Sequence, residues 1–232
     1  MNNPDKISVV LVEDDRHYRA YVASVLADAG RFAVAAEAAS AEEAARWGAE
    51  LAPRVALVDV VLPGARGTAV VPRLLERYPQ LLVIMLTART DDEVILEAIR
   101  AGAAGYVLKG AASQEILDAV DGALAGGAPM SPAIARRVLG LMRAAPSGAT
   151  QAVAAKTGMG GELRALTERE TDVLGLVAAG ATDKEAAAKL GVSVSAIKAH
   201  LANIYAKWRC GRAPRRRSSL LRRGGGRMTD VE

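Results

Sequence analysis

Two hydrophobic rhythms alternate over the first 125 residues. Short β-branched runs at 7–12, 32–37, 55–58, 81–86 and 105–108 each end in polar residues. Between and after them lie amphipathic stretches near 16–29, 40–50, 67–78, 91–102 and 113–125. Strands alternating with helices predict βαβ units around a parallel sheet. The expected fold is α/β: a doubly wound five-stranded parallel sheet with helices on both faces. In such sheets the chemistry gathers at the carboxyl ends of the strands.

The rhythm changes after residue 125. Ser131-Pro132 followed by residues 133–142 predicts a short helix with Pro at its first position. Residues 143–162 are rich in Ala, Gly and small polar residues and read as a flexible linker. Thr167 and Glu170 form a T-x-x-E capping box, so a helix should run to about Ala179 and stop at Gly180. Thr182 caps a second helix ending at Leu190-Gly191, and Ser193 caps a third that runs to about Trp208. Three short helices with tight glycine turns form a small all-α helix-turn-helix unit. The expected divisions are 1–125, a linker with a short helix at 126–162, helices at 163–208 and a basic tail at 209–232.

Composition sharpens this division. Hydrophobic residues make up 51% and aromatics only 3%, so the cores must be built from Ala, Val and Leu. Residues 1–125 hold 12 Lys/Arg and 18 Asp/Glu, a net −6; residues 126–232 hold 18 and 8, a net +10. An acidic front and a basic back suggest a cation-binding or regulatory part joined to a polyanion-binding part. No apolar run reaches the roughly 18–20 residues of a membrane span. A single cysteine, Cys210, permits no internal disulfide. Together with an N-terminus that lacks a signal-peptide layout, this predicts a cytoplasmic protein without a membrane partner.

Polar residues end four of the five strands in a telling set. Glu13 and Asp14 end the first, Asp59 the third, Thr87 the fourth and Lys109 the fifth. In a parallel sheet these ends share one edge. Converging carboxylates repel and raise one another's pKa unless a cation intervenes, and Mg²⁺ prefers such hard oxygen donors. Asp59 is then a candidate nucleophile forming an acyl phosphate. Lys109 would pair with a phosphoryl oxygen and Thr87 would hydrogen-bond another. A lone aspartate at a strand end is usually a loop residue; the agreement of the whole set with the strand order is what gives it weight.

The stretches VVLVEDD, LVDVVLPGARG, VIMLTA and AGAAGYVLKG resemble the receiver domain of bacterial two-component response regulators, a flavodoxin-like fold, over residues 5–125. The resemblance implies a phosphoacceptor at Asp59 and a Mg²⁺ site at Glu13, Asp14, Asp59 and the Val61 backbone carbonyl. It further implies phosphate sensing by Thr87 and Lys109 and a switch aromatic at Tyr106. Haloacid-dehalogenase-like phosphatases also use an aspartate nucleophile, but they need a second Asp where Val61 stands. The chain is therefore not expected to be an enzyme.

Residues 166–208, LTERETDVLGLVAAGATDKEAAAKLGVSVSAIKAHLANIYAKW, resemble the LuxR-type helix-turn-helix of the NarL/FixJ response regulators. The third helix carries Val194, Ile197, Leu201, Ile204 and Trp208 on one apolar face. Ser195, Lys198, Ala199, Asn203 and Lys207 lie on the other, with His200 beside it. Such a helix could enter the major groove. Lys198 is the best candidate for a base-edge or phosphate contact, while Lys184 and Lys207 suit phosphates. His200 reads equally as structural or phosphate-contacting. Asp183, Ala186 and Ala196 depart from the family pattern in ways that weaken DNA binding or thin the core.

After Lys207 the resemblance stops. The family continues with a turn and a fourth helix that packs on the others and commonly supplies a dimer contact. Here WRCGRAPRRRSSLLRRGGGRMTDVE follows, with eight Arg and two acids over 209–232. It reads either as a basic arm for DNA phosphates or as a shifted reading frame. One GC-rich coding string for this segment, moved by a single base, gives Leu-Ala-Val-Arg-Thr-Gly-Ala-Glu-Ala-Ala-Val-Leu-Ala, the expected family ending. Nucleotide sequence across Trp208 tests this, and a region in which no one-base shift restores a helix would exclude it. Without the fourth helix, Leu163, Leu166 or Ile204 would be exposed.

The implied function is phosphorylation-dependent transcriptional regulation. The expected partners are a sensor histidine kinase, double-stranded DNA and a second copy of the chain, with helices near 91–102 and 113–125 as candidate dimer faces. The alternative is a receiver-only signalling or interaction protein whose DNA-binding domain is impaired by its altered C-terminus.

Overall fold

The computed structural model describes residues 6–88, 91–144 and 166–208. Strands β1 (Ile7–Val12), β2 (Phe32–Ala38), β3 (Val55–Asp59), β4 (Leu82–Thr87) and β5 (Gly105–Leu108) form one all-parallel sheet, ordered β2-β1-β3-β4-β5. β3 and β4 are nearly continuous apolar runs because helices cover both faces. The period of two sorts the side chains. Val9, Leu11, Leu57, Ile84 and Leu86 pack with α1 (Arg16–Asp28) and α5 (Ser113–Leu124). Val10, Val12, Ala56, Val58 and Met85 pack with α2 (Ala41–Ala45), α3 (Val71–Arg77) and α4 (Asp92–Ala101).

Two stretches expected as single helices are broken. Over 40–50, α2 gives way to a 3₁₀ turn, Ala49–Leu51, followed by Ala52 at φ 36°. Over 67–78, a 3₁₀ turn at Gly67–Ala69 precedes α3. The second break has a clear cause. A Cβ on Gly67 would lie 1.7 Å from the Asp59 carbonyl oxygen, so only glycine lets this loop fold back over the end of β3. Gly67→Ala is expected to force the loop away and cost about 3 kcal/mol, the upper end of the overpacking range. Urea unfolding checks this, and an unchanged midpoint would contradict it.

The C-terminal helices are α6 (Pro132–Ala144), α7 (Glu168–Ala178), α8 (Asp183–Leu190) and α9 (Val194–Trp208). Thr167 and Glu170 form the expected capping box, and Thr182 with Glu185 forms a second. Gly180 and Gly191 take the left-handed conformation that ends α7 and α8. Ile204 is fully buried, with Ile197 and Leu201, in the cluster that also holds Val173 and Leu174 of α7 and Ile134 and Val138 of α6. This corrects the expectation that it would be exposed: α7 and α8 pack against α9. Leu166 is half-buried, and Leu163 lies outside the described residues.

The segment before α6 is less free than a linker. The Tyr106 amide donates to the Pro129 carbonyl at 3.0 Å, and Tyr106 pairs with Met130 in a parallel bridge. Residues 128–130 thus form a strap along the outer edge of β5. Arg136 Nη1 donates to the Ala178 carbonyl at 2.8 Å, and Arg137 approaches Asp92 at 3.4 Å, so α6 joins α7 to α4. Of the stretch 143–162, residues 143 and 144 close α6 and the rest lies outside the described residues, as does 209–232. Among the described residues no helix is long and apolar enough to cross a membrane.

Candidate functional site

The strand order reverses between β1 and β3, where a crevice opens at the carboxyl ends. Asp59 is the last residue of β3 and Thr87 the last of β4; Glu13 and Lys109 directly follow β1 and β5. The sheet therefore brings together four residues spread over 96 positions of chain. Lys109 Nζ donates to Glu13 Oε1 at 2.7 Å and to Asp59 Oδ2 at 2.8 Å. The Val61 amide donates to Asp59 Oδ1 at 3.2 Å. Glu13, Asp59 and Thr87 are buried, while Asp14 is exposed at the mouth.

Burial pushes the Asp59 carboxyl up, against the pull of Lys109 and the Val61 amide. It pushes Glu13 up in the same way, with Lys109 opposing and Asp59 adding to the shift. Burial would lower the Lys109 ammonium, but its bonds to Asp59 and Glu13 more than offset this and raise it. The pocket is thus a pair of reluctant anions held by one cation. Glu13, Asp14 and Asp59 can each offer one carboxylate oxygen within 4.8 Å of the others. Glu13 Oε2 is buried and makes no hydrogen bond. A buried carboxylate oxygen without a donor, in an all-oxygen acidic cluster, fits a hard divalent cation.

Tyr106 is buried. Burial raises its phenol to about 12, with the nearby Thr87 side chain opposing. The switch candidate and the phosphate-sensing candidate are therefore neighbours on the paired strands β4 and β5. On the helical side, Lys184, Ser195 and Asn203 are exposed, and Lys198 and His200 are half-buried. Lys198 faces the sheet domain: a Cβ added to Gly127 would lie 3.4 Å from its Cβ and Cγ. The Tyr205 hydroxyl approaches the Pro129 carbonyl at 3.5 Å.

Two family descriptions match the chain: the response regulator receiver domain over residues 9–121 and the luxR family of bacterial regulatory proteins over 164–212. The transcriptional regulatory protein LiaR of Bacillus subtilis is 30% identical over 201 residues, covering 87% of this chain and 90% of LiaR. The chain belongs to the LuxR-type response regulators. The DNA-binding transcriptional activator DevR/DosR of Mycobacterium tuberculosis is 31% identical over 87% of this chain and 88% of its own length. A crystal structure of a LuxR-family response regulator from Aurantimonas sp. is 30% identical, with a TM-score of 0.56 over 60% of this chain and 99% of that one.

In this response regulator, several side-chain contacts escaped the sequence. Arg66 and Thr68, in the loop after Asp59, both bond the carboxylate of Glu97 on α4, the Arg66 pair at 2.5 Å. Nothing local in the sequence marks a pairing across about 30 residues. Lys207, a candidate phosphate contact, donates to Glu170 Oε2 at 2.6 Å, and Glu170 is buried. The Glu170 carboxyl is lowered because the bonds from Lys207 and Thr167 outweigh its burial. A carboxylate held low adds stability above its unfolded pKa and loses it as pH falls through the folded value. Lys207→Met is expected to cost about 1–2 kcal/mol at neutral pH, discounted for the partial exposure of Lys207, and less in acid. Thermal melts across pH 3–7 test this. An equal loss at every pH would show that the ion pair contributes nothing.

Proposed function

We propose that this chain is a phosphorylation-gated DNA-binding regulator of the cytoplasm, with Asp59 as its phosphoacceptor and a sensor histidine kinase as donor. The observation that carries this reading is the Lys109 ammonium, held 2.8 Å from Asp59 Oδ2 and 2.7 Å from Glu13 Oε1 at the sheet edge. A carboxylate oxygen of Asp59 would bond the phosphorus as the phosphohistidine P–N bond breaks, its electron pair leaving with the imidazole. Lys109 would then meet a phosphoryl oxygen, and Thr87 would donate to another. Glu13, Asp14, Asp59 and the Val61 carbonyl would hold Mg²⁺, which when bound offsets the negative charge of the transferring group.

The gate follows from the contacts of α9. Lys198 against Gly127 and Tyr205 against Pro129 hold this helix on the receiver. Phosphorylation would draw Thr87 towards the phosphoryl group, disturb Tyr106 and loosen the strap that Tyr106 binds. Released, α9 would present Ser195, Lys198, His200 and Asn203 to the major groove, with Lys184 on a phosphate. Lys207 serves better as a clamp on Glu170 than as a DNA contact. A homodimer on DNA completes the reading; α4 is partly covered by α6, which leaves α5 as the more open of the two candidate faces.

A second reading, a receiver whose DNA-binding end is impaired, is favoured by the family match ending at residue 212, short of most of the basic tail. Incubation with acetyl phosphate and Mg²⁺, followed by intact mass and a DNA shift over a salt series, tests both. One added phosphoryl group with a salt-sensitive shift supports the regulator. Phosphorylation with no shift at any salt supports the second reading, and an unmodified protein overturns both.

A further inference from the structure

Tyr18 lies on the first turn of α1, outside every role assigned above. Its amide donates to the N-capping carboxylate of Asp15 at 3.2 Å, and the Asp15 amide donates in turn to Glu13 Oε1 at 3.2 Å. The same short turn that sets the acidic cluster therefore sets Tyr18. Its ring centroid stands 5.1 Å from Lys109 Nζ, within reach of a cation–π contact. Two of the three ammonium N–H bonds go to Glu13 and Asp59, and the ring lies against the same ammonium. One turn further on, Tyr21 packs on Tyr18 at 5.9 Å between centroids, and its hydroxyl pairs with Ser113 Oγ at 3.0 Å. The two tyrosines thus hold both ends of the loop between β5 and α5.

We infer that Tyr18 is a positioning residue for phosphoryl transfer, its ring keeping the Lys109 ammonium over the Asp59 oxygen where the phosphoryl group arrives. A lysine on its four-carbon stem has many alternative rotamers. Two carboxylates restrain it only while both are free to accept from it, whereas the ring restrains it throughout. This inference rests on the proposed phosphoacceptor role of Asp59. With acetyl phosphate as donor, a bond forms between an Asp59 oxygen and phosphorus as the phosphorus–acetate oxygen bond breaks, and acetate leaves with the electron pair. Charge on the three equatorial oxygens peaks while Lys109 must be in place.

The test compares Tyr18→Leu, which keeps apolar bulk, with Tyr18→Phe, which keeps the ring. Tyr18→Leu is expected to slow Asp59 phosphorylation by acetyl phosphate and Mg²⁺ about three- to tenfold, and Tyr18→Phe to restore the rate to within about twofold of the unmodified chain. In a Lys109→Gln background, Tyr18→Leu should add nothing. A second readout needs no metal and no donor: ring current should move the Lys109 ε-methylene protons upfield in the unmodified chain and in Tyr18→Phe, and not in Tyr18→Leu. The inference is overturned by an unshifted Lys109 resonance in the unmodified chain, by Phe as slow as Leu, or by equal slowing with and without Lys109. An unmodified chain that takes no phosphoryl group overturns the phosphoacceptor reading itself, and the role of Tyr18 in transfer with it. Normal phosphorylation of both Tyr18 variants overturns this inference alone.

Discussion

Asp59→Asn should leave the folded protein unable to accept a phosphoryl group, a loss of several orders of magnitude in phosphorylation rate, because an amide oxygen is no nucleophile. Intact mass after acetyl phosphate treatment reads this directly, and a phosphoryl adduct on the variant would place the acceptor elsewhere. The same substitution should change stability in a definite direction. Burial raises the Asp59 carboxyl above its ordinary value of 3.8. A carboxyl raised on folding binds its proton more tightly in the native state, so its contribution favours folding in acid and weakens as pH rises through the interval between the unfolded and folded values. Asp59→Asn removes that dependence. Measured without divalent cations, the variant should gain stability relative to the parent between acid and neutral pH, and a variant that instead loses ground there would contradict the raised carboxyl.

The parts of this pocket that could be read from the sequence are those set by strand order. Glu13, Asp59, Thr87 and Lys109 each follow an apolar run that only a doubly covered strand explains, so their convergence follows from topology. Helix ends were legible where a capping box or a glycine marked them, as at Thr167, Gly180 and Gly191. The sequence was silent where the outcome depends on tertiary fit. Residues 128–130 have no period of their own and become a strap only because the edge of β5 is open to them. The break before α3 depends on how closely Gly67 meets Asp59. Lys207 looked like one more cation on an exposed face until Glu170 proved to be buried beneath it.

The second large effect concerns that strap. A Cβ on Gly105 would stand 2.5 Å from Pro129 Cγ, 3.0 Å from Cδ and 3.1 Å from the Pro129 carbonyl oxygen. A proline ring cannot swing aside, so Gly105→Ala should lift the strap off β5. The closed form would lose the Tyr106–Pro129 hydrogen bond, about 1 kcal/mol, and suffer an overpacking penalty of about 1–3 kcal/mol. Together these shift a closed-to-open equilibrium by at least about tenfold. The unphosphorylated variant should show a larger radius of gyration in solution scattering, faster amide exchange along α9 and tighter binding to duplex DNA at fixed salt. Unchanged scattering and exchange would mean that the strap does not hold α9.

The carbonyl of Pro129 faces both the amide of Tyr106, at 3.0 Å, and the hydroxyl of Tyr205, at 3.5 Å. A contact shared in this way obeys reciprocity. If phosphorylation lowers the cost of freeing α9, then anything that captures the freed helix lowers the cost of phosphorylation by the same free energy. A DNA duplex would then act as an effector of the receiver, favouring the phosphorylated form of regulator molecules already on a promoter and making the genome one of the inputs to the signal.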